Sequence, residues 1–338
     1  MKNYVRWGVG TAVALAIALG ASAETRAVET LKIRLSWLPF GMHAAWFYAT
    51  HKGLYKAEGV ELDIEDGRGS ALTVSVVGGG GGVDLGEAAV STMAPATSKG
   101  APLRALATYL PGNDLGVLVP SETGAKTVKD LEAKGISIIY TPGSLEAPFM
   151  DAFLKAGGSN RDKIKLIGVD ATAKISSYMS GAGGSVVTST PFIEPVLRKQ
   201  KPSNVIKFSD YGLALPSLGL IAREDTIAAK GESIRKIVVI TANAWGKILG
   251  DANAKKEAVD AMIALRPNAK LDPWLIDAQI EEYRPLFYSD ATKGRPIGWQ
   301  AEANWATAVK VMQDADVLPK TSKPGDFYTN KFYPGGAS

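Results

Sequence analysis

Short apolar runs of strand type alternate along the chain with stretches whose apolar positions recur every three or four residues. Runs at 31–37, 60–64, 83–85 and 103–108 read as strands, with helical patterns at 43–52, 71–77 and 91–99 between them. Strand, helix, strand repeated in this way predicts a mostly parallel sheet flanked by helices. A second series opens after Pro111-Gly112-Asn113, with strands at 116–119, 136–140, 164–169 and 186–189 and helices near 128–133, 144–155, 173–180 and 191–199. Beyond a strand at 218–222 the pattern turns helical. Ile234, Ile237, Val238, Thr241, Ala242 and Trp245 fall on one face, and Ser233 stands where an N-cap hydroxyl would accept a first-turn amide. Stretches 271–283 and 300–315 read as further helices closing back over the first lobe.

This order predicts an α/β fold of two lobes. Residues 24–112 and 216–338 form the first and 113–215 the second, with two crossings near 109–116 and 210–218. Glycine or proline in both crossings makes them a candidate double hinge, although the same residues suit plain linkers. Residues 1–23 have a different character. Lys2 and Arg6 precede an apolar run at 9–19, and Ala21-Ser22-Ala23 follows as a small-residue cleavage site, the pattern of a secretory signal peptide too short to span a bilayer.

Composition sharpens the compartment. There is no cysteine, which removes disulfides, thiolate metal sites, cysteine nucleophiles and a lipid-anchored cysteine. A freely soluble protein of a Gram-negative periplasm is expected. The net charge is +4, falling to +2 without Lys2 and Arg6, and no basic block argues for nucleic acid. At 338 residues the chain exceeds one ordinary core and suits two domains.

Catalytic chemistry finds little support. His43 and His51 are eight apart on one predicted helix, not the i, i+4 spacing of a zinc pair. Gly143-Ser144 lacks a Gly-x-Ser-x-Gly elbow, and Gly78–Gly82 lacks the Lys-Ser/Thr of a phosphate loop and reads as a flexible turn. No catalytic residue, metal or cofactor is expected. Recognition is better served. Trp37, Pro39 and His43 follow the first strand, Ser91-Thr92 the third, and Gly143-Ser144 the 136–140 strand. Loops and free helix amides converge at the carboxyl ends of strands in open α/β sheets. Trp37 and Trp46 offer flat surface and the hydroxyls offer directed bonds, so a planar, polar-edged ligand suits them. Plainer readings exist for each. Trp46, Phe47 and Tyr48 are consecutive, so at least one faces the core; Ser91 and Ser144 suit helix N-caps; His43 suits a backbone carbonyl.

The motifs Leu35-Ser36-Trp37-Leu38-Pro39, His43, Lys52-Gly53-Leu54-Tyr55, Glu58-Gly59-Val60 and Val83-Asp84-Leu85-Gly86 resemble the opening of the nitrate/sulfonate/taurine family of binding proteins. The Trp-x-Pro-x-x-x-His spacing resembles its thiamine-pyrimidine branch. Lys99-Gly100-Ala101-Pro102, Asp130-Leu131, Thr141-Pro142-Gly143-Ser144, Glu194-Pro195 and Trp305 extend the likeness. The resemblance implies a type II periplasmic binding fold whose lobes close on a small molecule, working as a monomer with the inner-membrane permease of an ABC importer. It adds Thr190 and Glu194 to the ligand-binding candidates, Glu194 as acceptor for a ligand amine. A synthase in the same branch uses a cysteine-rich stretch with iron and sacrifices the histidine that aligns with His43. The lack of cysteine therefore favours a carrier over an enzyme. Ser180-Gly181-Ala182-Gly183-Gly184-Ser185 departs from the usual Gly-x-x-Asp-Ala pattern, which leaves the ligand open. A pyrimidine related to thiamine synthesis leads. An alternative is a sulfonate, nitrate or aromatic carboxylate held at the helix termini of Ser91 and Ser144 with Arg68 or Arg104 as partner. A sensory module is a third reading.

Overall fold

The computed structural model describes residues 1–2 and 28–336. The signal-peptide reading of 1–23, with its cleavage site, falls almost wholly outside them.

The first lobe is built from β1 (Glu29–Arg34), α1 (Ala44–His51), α2 (Leu54–Ala57), β2 (Val60–Glu65), α3 (Ser70–Gly78), β3 (Leu85–Ala89), α4 (Val90–Ser98) and β4 (Leu103–Thr108). The chain then crosses to the second lobe. There it forms β5 (Leu115–Pro120), α5 (Val128–Ala133), β6 (Ile138–Tyr140), α6 (Met150–Ala156), β7 (Leu166–Gly168), α7 (Lys174–Met179), β8 (Ser185–Ser189), α8 (Thr190–Gln200) and β9 (Ser203–Lys207). It returns as β10 (Leu218–Arg223) and ends in α9 (Glu224–Ala229), α10 (Gly231–Gly250), α11 (Ala252–Leu265), α12 (Pro273–Tyr283) and α13 (Glu302–Asp314).

Each lobe holds one five-stranded sheet, ordered β2-β1-β3-β10-β4 and β7-β6-β8-β5-β9. Both sheets are mixed. β10 runs antiparallel to β3 and β4, and β5 antiparallel to β8 and β9, while the remaining pairs are parallel. The reversed strand in each sheet is the one by which the chain enters after crossing. A strand arriving from the neighbouring lobe reaches its sheet from the cleft side, opposite in direction to strands fed by local helices. The fold is the two-lobed periplasmic binding type, with a mostly parallel sheet in each lobe interrupted by that one strand.

Leu31, Ile33, Leu85 and Leu220 are wholly buried under a helical layer in which α1, α10 and α11 pack on one another. The apolar stripe of α10 supplies Ile234, Ile237, Val238 and Trp245 to that core.

Several expected boundaries shift for local reasons. The helix expected over 144–155 begins only at Met150 after one tight turn at Ala147–Phe149. Ser144 cannot start it, because its amide and hydroxyl both bond back to the Thr141 carbonyl. The strand expected at 83–85 starts at Leu85; Asp84 precedes it and clamps the Lys32 amide at 2.9 Å and the Lys230 ammonium at 2.7 Å. Ser233 is not the N-cap of α10, which begins at Gly231; its hydroxyl donates to Glu29 instead. Gly78–Gly82 closes α3 and turns, with Gly80 and Gly82 at φ of 71° and 76°. The edge strand β9, with its polar start Ser203-Asn204, carries no apolar run to announce it.

Candidate functional site

Between the lobes lies a narrow cleft with about 30 Å³ of free space. The turn after β1 contributes Ser36, Trp37 and Phe40, the start of α3 contributes Ser70, and α12 contributes Tyr283. From across the cleft come Ser144, Leu145 and Glu146 after β6, Lys174 at the start of α7, Thr188 and Ser189 ending β8, and Phe192 on α8. Asp114 enters from the first crossing and Leu218 from the end of the second. Aromatic faces thus meet buried charge.

The charged groups have unequal surroundings. Lys174 and Glu146 form an ion pair at 2.6 Å with side chains 2% and 0% exposed, and the Lys174 ammonium also sits 5.4 Å from the centre of the Trp37 ring. Glu146 Oε2 has no hydrogen-bond partner among the described residues. Asp114 Oδ2 accepts from Ser189 Oγ at 2.5 Å; with that proton committed, Tyr283 is the donor in its own hydrogen bond to Ser189. Asp114 Oδ1 is unpartnered among the described residues. Ser217 stands near enough to favour the charge, yet neither its hydroxyl nor Oδ1 completes a hydrogen bond. Burial pushes the Asp114 carboxyl up to about 6, against the Ser189 and Ser217 hydroxyls, which pull it down. Burial likewise holds the Tyr283 phenol well above its usual range, with the Asp114 charge adding to the effect.

Two buried carboxylate oxygens without donors are costly, on the order of 1–3 kcal/mol each. Both residues line the cleft, so a ligand carrying N–H groups can relieve them. Among the described residues, no cluster of three or more acidic, histidine or cysteine side chains is placed to hold a metal.

The lobes touch around this space. The Ala71 and Leu72 amides at the start of α3 both donate to the Gly143 carbonyl, at 2.9 and 3.2 Å. Thr92 Oγ1 donates to the Leu145 carbonyl at 3.1 Å, and Gln279 Nε2 to the Phe192 carbonyl at 2.7 Å. At the rim Arg68 pairs with Asp170 at 3.2 Å, and Arg198 holds Glu282 with both terminal nitrogens. The arrangement is a closed one.

The structure distributes the expected ligand contacts unevenly. Trp37 and Ser144 line the cleft. Pro39 lies in an outer groove that shares Trp37, Phe40 and Phe192 with it. His43 is 0% exposed and stands behind the wall, against Ser36 and Glu87. Trp46 is 0% exposed in the lobe core with its ring edge on Tyr109, so it is a packing residue in this arrangement. Ser91 lies one residue inside α4, whose N-cap is Ala89, and Thr92 and Gly143 join the lobes. Thr190 sits at the start of α8 with its amide on the Asp114 carbonyl; Glu194 lies outside the cleft, 3.8 Å from Arg198, with burial raising its carboxyl. Neither arginine proposed for an anion reaches the site. Arg68 is tied to Asp170, and Arg104 to Glu224 at 2.8 Å on an outer face of the first lobe. Asp114, Glu146, Lys174, Ser189 and Tyr283 escaped the sequence reading. Asp114 does fall in the first crossing, the one signal that pointed near it.

Residues 41–254 match the family described as NMT1/THI5 like. The chain is 24% identical over 318 residues to the riboflavin-binding protein RibY of Chloroflexus aurantiacus, covering 92% of this chain and 88% of that one. It is 21% identical over 325 residues to the formylaminopyrimidine-binding protein of Halalkalibacterium halodurans, covering 94% and 96%. Among solved structures, the alkanesulfonate-binding protein SsuA from Xanthomonas axonopodis pv. citri, bound to MOPS, superposes with a TM-score of 0.65 at 15% identity, covering 89% and 98% of the two chains.

Proposed function

The chain belongs to the NMT1/THI5-like family, and from that premise we propose that it is the periplasmic solute-binding component of an ABC importer, carrying a small planar heteroaromatic amine such as a pyrimidine precursor of thiamine to its permease. The observation that carries this reading is the pair of unpartnered carboxylate oxygens, Asp114 Oδ1 and Glu146 Oε2, set among Trp37, Phe40, Phe192 and Tyr283. The closed cleft encloses only about 30 Å³, so the lobes part to admit the ligand; a ring then stacks on the aromatics and its amino group fills the empty acceptors. The formylaminopyrimidine-binding relative is named for a ligand of this kind.

An anionic solute suits the site less well. Among the described residues the one cation lining the cleft, Lys174, is already neutralised by Glu146, so a sulfonate or nitrate would meet a surplus of negative charge. A second reading has its own support. The outer groove beside the cleft holds about 640 Å³ of free space and shares three aromatic walls with it, room for a larger ring system such as the one named in the riboflavin-binding relative. Both named relatives are binding proteins, and the reading here is of a carrier. Among the described residues no helix is long and apolar enough to cross a membrane.

Titration calorimetry with aminopyrimidines, riboflavin and an alkanesulfonate tests the assignment. Aminopyrimidines are expected to bind, and to lose at least tenfold in affinity in Glu146→Gln, where the amide nitrogen turns one acceptor into a donor. Binding of the sulfonate alone would sink the amine reading.

A further inference from the structure

His43 faces no ligand, yet its hydrogen bonds decide what the wall in front of it can offer. The Phe40 amide points at His43 Nδ1 at 3.3 Å, so that nitrogen is an acceptor and the ring proton sits on Nε2. Nε2–H then faces Glu87 Oε2 at 3.1 Å and Ser36 Oγ at 3.3 Å. Glu87 Oε2 also takes the Ser36 amide at 2.9 Å. His43 and Glu87 are 0% exposed and Ser36 is 3% exposed, so water does not compete for these bonds.

The consequence falls on Ser36. Its oxygen is occupied as an acceptor, while its O–H finds no acceptor among the described residues, and Ser36 lines the cleft. Ser70, on the same lobe, repeats the arrangement: its oxygen accepts from the Ala89 amide at 3.0 Å and its proton has no acceptor among the described residues. The opposite wall has the reverse sense. Ser144 gives its proton to the Thr141 carbonyl at 2.7 Å, leaving it only lone pairs, and Glu146 Oε2 and Asp114 Oδ1 likewise lack donors among the described residues. Two groups on that wall can donate: the Lys174 ammonium, held between Glu146 and the Trp37 ring, and the Thr188 hydroxyl.

We propose that His43 is a positioning residue that fixes Ser36 as a hydrogen-bond donor, so that the ligand presents an acceptor, a ring nitrogen or carbonyl oxygen, to Ser36 and Ser70 on the edge opposite the amino group held by Asp114 and Glu146. This rests on the amine reading above and narrows it from any aromatic amine to one with donor and acceptor edges on opposite sides.

The test compares 4-aminopyrimidine with aniline by calorimetry; both carry one amino group and are neutral at neutral pH, but only the first has ring acceptors. The wild type is expected to prefer 4-aminopyrimidine by about tenfold or more, the cost of leaving one buried donor unmet. Ser36→Ala removes that donor and reduces the preference to about threefold or less. His43→Leu does the same by releasing Ser36, whereas His43→Gln, with an amide N–H in place of the ring N–H, keeps it. General loosening of the wall lowers both affinities and leaves their ratio unchanged, so the ratio separates positioning from packing. An equal preference in wild type and Ser36→Ala overturns the proposal. Failure of the wild type to bind either amine overturns the amine reading, and this inference with it.

Discussion

The cleft's behaviour rests first on single buried charges. Lys174 and Glu146 are both almost wholly enclosed, and removing one member of such a pair strands the other. Lys174→Met is therefore expected to lower stability by about 3–5 kcal/mol, while Lys174→Met with Glu146→Leu recovers most of it; urea unfolding of the two variants checks this. A double variant as unstable as the single would remove the ion pair as the cause. Asp114 gives the complementary effect with pH. Its carboxyl is raised to about 6 in the folded chain, from 3.8 for the free group. Between those values the folded state binds more protons than the unfolded one, so stability falls as pH rises. The deficit is absent below pH 3.8 and complete above about 6, reaching about 3 kcal/mol from this group. Asp114→Asn is expected to flatten that part of the profile relative to wild type. An unchanged slope would mean that another group sets it. The same titration bears on recognition, because a protonated Asp114 offers one acceptor fewer to an amine, so affinity should decline below pH 6. Trp37 was legible in the sequence as an aromatic residue at the end of a strand. Asp114 and Glu146 were not, since an isolated carboxylate in a polar turn looks solvated until the crossing and the β6 loop are folded against each other.

At the scale of elements, periodicity located most of the molecule, and the failures have a common cause. β4 and α5 lie where the pattern put them, because burial on one face writes itself into every second or every third and fourth residue. β9, a half-buried edge strand with a polar start, leaves no such mark. The start of α6 and the cap of α10 were misplaced because serine hydroxyls had other partners, Thr141 and Glu29, supplied by the fold. The joint between α3 and the β6 loop was equally invisible. There the α3 amides are capped not by their own side chains but by Gly143 of the other lobe, and Gly69 at φ 143° lets the two backbones meet. A Cβ on Gly69 would lie 2.2 Å from the Gly143 oxygen. Gly69→Ala should therefore hold the lobes apart, weakening ligand binding at least tenfold and abolishing ligand-induced compaction in small-angle scattering. Wild-type compaction in that variant would show that closure does not need this contact.

At the scale of the whole molecule, a ligand shifts the lobes only by its differential affinity for the closed state, so contacts made solely on closure set how far it must pull. Two rim pairs, Arg68 with Asp170 and Arg198 with Glu282, join the lobes with arginine side chains 55% and 60% exposed. Exposed pairs of this kind contribute little, so Arg68→Ala or Arg198→Ala should each weaken binding by no more than about fivefold, mainly through faster release. The pairs lie apart and share no partner, so the double variant should show the product of the two effects. A third contact offers a direct reading of the motion. The Lys199 ammonium, at the end of α8, sits 3.8 Å from the centre of the Trp274 ring on α12, and Trp274 is 42% exposed. Opening the lobes withdraws that cation from the indole. Trp274 emission should then change on ligand addition with the same midpoint as calorimetric binding, and the ligand-induced difference should shrink in both Trp274→Phe and Lys199→Gln. If the full difference persists in those two variants, the signal comes from Trp37 inside the cleft, and the Lys199 contact has no part in closure.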